Sequence, residues 1–160
     1  MNKKLSLAIL GVLMLFTFSA CNKKEEEVRK PISSDSFKLV GESDDYEITD
    51  VTESLNNNKG IMEALVARVK NKYQVEYYTL DDNEVAQKMY DRNKKRFESQ
   101  KDDNDKAEIV ETDNYSEYKL LTKGKYKLLS KIDNTLVYAD VDEQYKDSVI
   151  EFAKQLGYIK

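Results

Sequence analysis

The stretch YSEYKLLTKGKYKLLSKIDNTLVYADV, residues 115 to 141, decides the fold. It contains three alternating segments, over 115–122, 125–132 and 135–141, which are separated by the two-residue turn signals Lys123-Gly124 and Asp133-Asn134. Three strands joined by tight turns form an antiparallel meander. Counting outward from the turns predicts the register of the strands.

That register sorts the meander into two faces. The face assigned to the core carries Leu121, Tyr126, Leu128, Val137, Ala139 and Val141. The other face carries Lys127 opposite Asp140, as a cross-strand ion pair, together with a half-apolar group. This group, Tyr118, Leu129, Leu136 and Tyr138, is either covered by a second layer or free as a candidate binding surface.

Upstream, a second pair of strands is predicted over 63–69 and 73–80. A three-residue loop with Asn71 or Lys72 in the left-handed region sets Val69 opposite Tyr73 and makes one face of the hairpin apolar. Further strands are expected over 46–51 and 107–111, and a short N-terminal helix is expected over 34–42.

Two main amphipathic helices complete the pattern. Residues 81–101 place Ala86, Met89, Tyr90, Asn93 and Phe97 at helical spacing, and the last helix begins at Asp142 and ends at Gly157. We therefore expect an α+β fold, in which an antiparallel, meander-rich sheet has both main helices packed on one face. Two similar strand–helix halves are an alternative, because VEYYTLDDNEVAQKMY and TLVYADVDEQYKDSVI share the order of strand, acidic cap and helix.

The composition of the 160 residues limits the chemistry. The chain has no His and no Trp, one Cys, and eleven Tyr. Without His it lacks the commonest metal ligand and the most versatile acid/base group, and one Cys forms no internal disulfide. We expect no metal site, no cofactor and no catalytic residue, and a net charge of −4 argues against a nucleic-acid partner. A carboxylate-based hydrolase is the enzymatic alternative.

The amino terminus indicates where the protein resides. Lys3 and Lys4 precede sixteen uncharged residues, 5–20, a run that is short of the roughly 20 residues of a spanning helix. The run ends in Phe18-Ser19-Ala20-Cys21, which resembles the lipobox of bacterial lipoproteins. In such proteins the cysteine is diacylated and the chain is cut just before it. An ordinary secretory signal and an uncleaved anchor are the alternatives.

These features set the expected organisation of the chain. Residues 1–20 are a lipoprotein signal peptide, 21–36 are the lipidated Cys21 and a disordered tether, and 37–160 are one α+β domain. The protein would then be extracytoplasmic and held to the outer leaflet of the cell membrane, with exposure at the cell surface as an alternative.

With the lipobox, the helix DNEVAQKMYDRNKKRFE and the ending IDNTLVYADVDEQYKDSVIEFAKQLGY, the chain resembles small, uncharacterised lipoproteins of low-GC Gram-positive bacteria. The resemblance implies a location and a fold but no activity. A noncatalytic binding module for an envelope protein or peptide is the expected function. A small tethered inhibitor or subunit of an envelope complex is the alternative.

Overall fold

The computed structural model describes residues 28–55 and 60–160 as an antiparallel sheet with helices on both of its faces. In chain order, the helices and strands are α1 Ser34–Ser43, β1 Glu47–Asp50, β2 Ile61–Val69, β3 Tyr73–Leu80, α2 Asn83–Glu98, β4 Glu108–Glu111, β5 Tyr115–Thr122, β6 Lys125–Ile132, β7 Thr135–Asp142 and α3 Lys146–Gln155. Short 3₁₀ turns lie at Glu53–Leu55 and Glu143–Tyr145. The α+β class and the antiparallel sheet are confirmed.

The sheet has seven strands in the order β1-β2-β3-β7-β6-β5-β4, and all neighbours are antiparallel. Two sequence-local meanders, β1 to β3 and β4 to β7, therefore join where β3 meets β7. This junction connects residues about sixty positions apart in the chain.

The turns set the register as predicted. Val69 pairs with Tyr73 across a three-residue loop in which Asn71 has a φ of 58°. Lys123 and Gly124 both have positive φ in the next tight turn, and Leu121 pairs with Tyr126. Lys127 lies opposite Asp140, with 2.7 Å between Nζ and Oδ2.

The placement of both main helices on one face is wrong. α3 packs through Val149 and Phe152 on the sheet face that also holds α1 and the core residue Leu128. α2 covers the opposite face through Tyr90 and Phe97. The physical reason is that the central strands are apolar on both sides, so each face needs its own helical cover.

The domain also begins earlier than residue 37. α1 starts at Ser34, and the Ser33 hydroxyl caps it by accepting a hydrogen bond from the Ser36 amide at 3.1 Å. The boundary of the predicted tether at residue 36 therefore lies too far along the chain.

Candidate functional site

The predicted binding surface lies beneath α2. Tyr118, Leu129 and Leu136 are fully buried against the apolar stripe of this helix. The interpretation of these three residues as an exposed surface is corrected: the alternative, a covering second layer, is what the structure contains. Tyr138 alone of the four is partly exposed.

Tyr138 lies at the margin of α2. Its ring stacks on Phe97, with 5.4 Å between the ring centroids, and its hydroxyl accepts a hydrogen bond from Arg96 Nη2 at 2.8 Å. Burial raises the pKa of Tyr138 to about 12, although the Arg96 charge acts in the opposite direction. The hydroxyl therefore stays protonated at neutral pH.

Tyr138 borders an open cleft where the pairing of β3 with β7 stops. The pairing runs from Thr79 opposite Thr135 to Glu76 opposite Tyr138, and both strands continue past it. The cleft has a volume of about 800 Å³ and lies beside the β2–β3 turn. Its lining includes cations, three carboxylates and two tyrosines, among them Arg68, Lys72, Tyr73, Glu76, Lys127 and Tyr138.

Three carboxylates of the cleft already have partners. Asp140 accepts a hydrogen bond from the buried Lys127 at 2.7 Å, and Asp142 accepts one from Lys125 at 2.6 Å. Glu76 uses both of its oxygens, accepting from Gln74 Nε2 at 2.8 Å and from the Tyr78 hydroxyl at 2.5 Å. Asp140 and Asp142 are therefore each balanced by a lysine, whereas both partners of Glu76 are neutral.

The cations at the β2–β3 turn, by contrast, have no carboxylate partners among the described residues. Arg68 donates through Nε and Nη2 to the neutral amide oxygen of Gln74, at 3.3 and 3.0 Å. Lys70 and Lys72 form no ion pair with any residue in 28–55 or 60–160. This side of the cleft therefore has an excess of positive charge.

A smaller cavity of about 120 Å³ continues from the cleft toward α2. It shares Glu76 and Tyr138 with the cleft and adds Tyr78, Asn93 and Arg96. The Arg96 guanidinium also lies 5.3 Å from the centre of the Tyr138 ring. Polar groups thus extend from the β2–β3 turn to the surface of α2 without interruption.

The amino-terminal segment Arg29–Ile32, here called the docked segment, lies at the opposite end of the sheet. The Arg29 guanidinium stacks 3.6 Å from the centre of the Tyr115 ring, and the Arg29 carbonyl accepts a hydrogen bond from Asn114 Nδ2 at 2.6 Å. The Ile32 carbonyl accepts one from the Tyr77 hydroxyl at 2.7 Å. The chain therefore enters the domain far from the cleft.

Sequence reasoning missed the cleft but contained one signal for it. Arg68, Gln74 and Glu76 occupy the polar face of the same hairpin whose apolar face fixed the loop length. Polar side chains that lie opposite each other on one face of a hairpin indicate that this face contacts solvent. Tyr138 lies beside these residues because β3 pairs with β7, and the sequence of the hairpin does not show this pairing.

Cys21 lies outside the described residues. Within 28–55 and 60–160, no helix is both long and apolar enough to cross a membrane. The same residues contain no group of three or more Asp, Glu or Cys side chains arranged to hold a metal ion.

Comparisons with known proteins return a structural likeness. The structure of a GTP-binding regulator from Thermotoga maritima superposes with a TM-score of 0.46 and 19% sequence identity, covering 78% of this chain and 84% of that one. No protein-family model matches the sequence, and no curated protein is significantly similar to it.

Proposed function

We propose that this protein is an extracytoplasmic lipoprotein, anchored through an acylated Cys21, whose domain is a noncatalytic binding module that holds its ligand in the cleft. The cleft itself is the observation that carries the binding role. It is the place where an open volume of about 800 Å³ meets side chains that offer hydrogen bonds, charge and aromatic surface together.

The arrangement of the carboxylates favours binding over hydrolysis. A carboxylate-based hydrolase requires one carboxyl group that gives up a proton and a second that acts as base or nucleophile. In the cleft, Asp140 and Asp142 are each paired with a lysine, and Glu76 is occupied by two neutral donors. No two of these carboxylates are left without partners as the acid and the base or nucleophile of a hydrolase.

The anchoring part of the proposal rests on the sequence around Cys21. An apolar run too short to span a membrane, followed by two small residues and the chain's only cysteine, suits attachment of lipid to the thiol. Two or three acyl chains, at about 0.8 kcal/mol per buried CH₂, would keep the protein on the membrane.

Metabolic labelling with a clickable fatty acid tests the anchor. We expect label on the native chain and none on the Cys21→Ala variant, which should also leave the membrane fraction. Label that persists in the variant would contradict acylation at Cys21.

Photo-crosslinking in the native envelope tests the binding role. A photoreactive amino acid at Gln100, an exposed residue of the cleft lining, should give a discrete crosslinked product that mass spectrometry identifies. The matched control places the same amino acid at Arg92, an exposed position on α2 away from the cleft. Equal products from both positions, or none from position 100, would argue against the cleft as the binding site.

A further inference from the structure

The cations at the β2–β3 turn form no ion pair with any described residue. Arg68 is bound to a neutral amide, and Lys70 and Lys72 have no carboxylate within 4.0 Å among the described residues. The protein as a whole has a net charge of −4, so this local excess runs against the overall balance. An anionic group entering the cleft would find Arg68 and Lys72 in its lining, with Lys70 at the rim, and would displace no existing ion pair.

The remaining lining selects among anionic ligands. Glu76 also lines the cleft, and both of its partners are neutral, so a polymer with a negative charge on every unit would meet repulsion there. An extended peptide has carboxylates at some positions and backbone N–H groups at every non-proline residue. Its carboxylates can face the cations while its N–H groups face Glu76.

Two tyrosines provide apolar surface in the same volume. Tyr73 and Tyr138 both line the cleft and are partly exposed. Tyr73 is held in place, because its hydroxyl is 2.9 Å from that of Tyr46 and its ring lies 4.9 Å from that of Tyr145. Rings fixed in this way contact the side chains of a bound peptide at little cost in conformational entropy.

We propose that the cleft receives an extended acidic peptide segment of another protein, with carboxylates of that segment on Arg68 and Lys72. This inference rests on the proposed function and adds the chemical class of the ligand. Lys70, at the rim, adds to the attraction without lining the cleft.

Selection from a random dodecapeptide display library tests the inference, because it samples ligand sequences of every charge. The bait is the full chain, held in nanodiscs of phosphatidylcholine so that the bilayer adds no net charge. The Arg68→Glu/Lys72→Glu variant is compared with Arg92→Glu/Lys95→Glu. Both variants change the net charge by the same amount, and Arg92 and Lys95 are exposed residues of α2 outside the cleft lining.

We expect the native chain to enrich peptides rich in Asp and Glu, and these peptides to bind at least tenfold more weakly to the cleft variant than to the control variant. The Arg68→Ala/Lys72→Ala variant should show a smaller loss, and thermal melting should show that all variants are folded. Enrichment without acidic bias, or equal binding to both charge variants, would overturn the inference.

A control with a polyanion distinguishes an acidic peptide from the other class of anionic ligand, a polymer with a negative charge on every unit. Inorganic polyphosphate that displaces the selected peptides and binds the native chain more tightly would overturn the choice of a peptide. Failure of the proposed function would look different, because the crosslinker at position 100 would then capture nothing. Capture at position 100 together with non-acidic peptides would refute this inference alone.

Discussion

At the scale of single residues, the hydroxyl groups beneath α2 fall into two kinds. The Tyr118 hydroxyl donates to Glu98 Oε1 at 2.7 Å, whereas the buried Tyr90 hydroxyl has no hydrogen-bond partner among the described residues. The two rings lie in the same apolar cluster. They therefore form a natural pair for measuring what one hydrogen bond contributes.

Replacing Tyr118 by Phe should lower the free energy of unfolding by about 1 kcal/mol at pH 7, because the bond to a carboxylate is lost. The matched variant Tyr90→Phe should be neutral or slightly stabilising, since it removes an unsatisfied buried hydroxyl. Urea unfolding of both variants measures the difference. A larger loss for Tyr90→Phe would contradict this assignment of partners.

The effect of Tyr118→Phe should also depend on pH. Hydrogen bonds from Lys101 and Tyr118 lower the pKa of Glu98 in the folded protein. Stability from these bonds is complete above the unfolded pKa of about 4.3 and is lost as the pH falls through the lower folded value. The gap between Tyr118→Phe and the native chain should therefore shrink below about pH 4, which unfolding titrations at pH 3 and pH 7 would detect.

At the scale of elements, α2 depends on its first turn. Asp82 adopts an extended conformation just before the helix, and its Oδ1 accepts a hydrogen bond from the Val85 amide at 2.8 Å. Because α2 packs over the face with Tyr118, Leu129 and Leu136, weakening its start loosens that cover.

Asp82→Ala should cost about 1 kcal/mol of stability through loss of the cap. The control variant Asp81→Ala removes the same charge from the neighbouring exposed position. The Asp81 side chain forms no hydrogen bond with any described residue, so none is lost. Chemical denaturation should therefore show a clear shift for the first variant and a small one for the second. Similar shifts would mean that the negative charge near the helix, and not the cap, is responsible.

Elements were also the scale at which sequence reasoning worked best. The loop at Asn71 and the turn at Lys123-Gly124 fixed strand pairing, because a slip by one residue would put apolar side chains into solvent. The face chosen by each helix was not determined in this way. The sequence of an amphipathic helix such as α2 shows that one side of the helix is buried, but it does not show which face of the sheet that side will contact.

At the scale of the whole molecule, the cleft depends on a junction between distant parts of the chain. Glu76 and Tyr138 belong to different meanders and become neighbours through the pairing of β3 with β7. Local patterns predict strands and tight turns, whereas this contact requires both meanders to be folded. Leu121 shows another limit of local patterns. It lies on the same sheet face as Tyr126, as predicted, yet 38% of its surface is exposed.

The docked segment should contribute to global stability. A chain that begins at residue 34 lacks the Arg29 and Ile32 contacts and the Ser33 cap, so we expect it to lose about 2–3 kcal/mol relative to a chain that begins at residue 28. Urea denaturation of the two chains checks this value. Equal stability would mean that residues 28–33 add nothing to the stability of the domain.

Anchoring at Cys21 would give the domain a preferred orientation. Seven residues, 22–28, separate Cys21 from the docked segment and span at most about 25 Å. The cleft lies at the other end of eight-residue strands such as β7, about 20 Å farther along the sheet. We therefore expect the cleft to point away from the bilayer.

Spin labels test this orientation in the acylated protein. A nitroxide at Lys72→Cys should lie farther from lipid headgroups than one at Lys30→Cys, as measured by relaxation from headgroup-bound paramagnetic ions. Equal distances would indicate a domain that tumbles or lies flat on the membrane.

The docked segment has a further consequence for an anchored protein under load. If a ligand in the cleft were pulled away from the membrane, the pulling force would act between two points of the domain, Arg29–Ile32 and the region near Lys72. The line between these points runs along the length of β3 and β7. The hydrogen bonds of an antiparallel ladder are perpendicular to its strands, so this force loads many of them in shear at the same time. Pulling across the sheet would instead separate the four β3–β7 residue pairs one after another. Attachment through Cys21 would therefore direct force along the stronger axis of the domain.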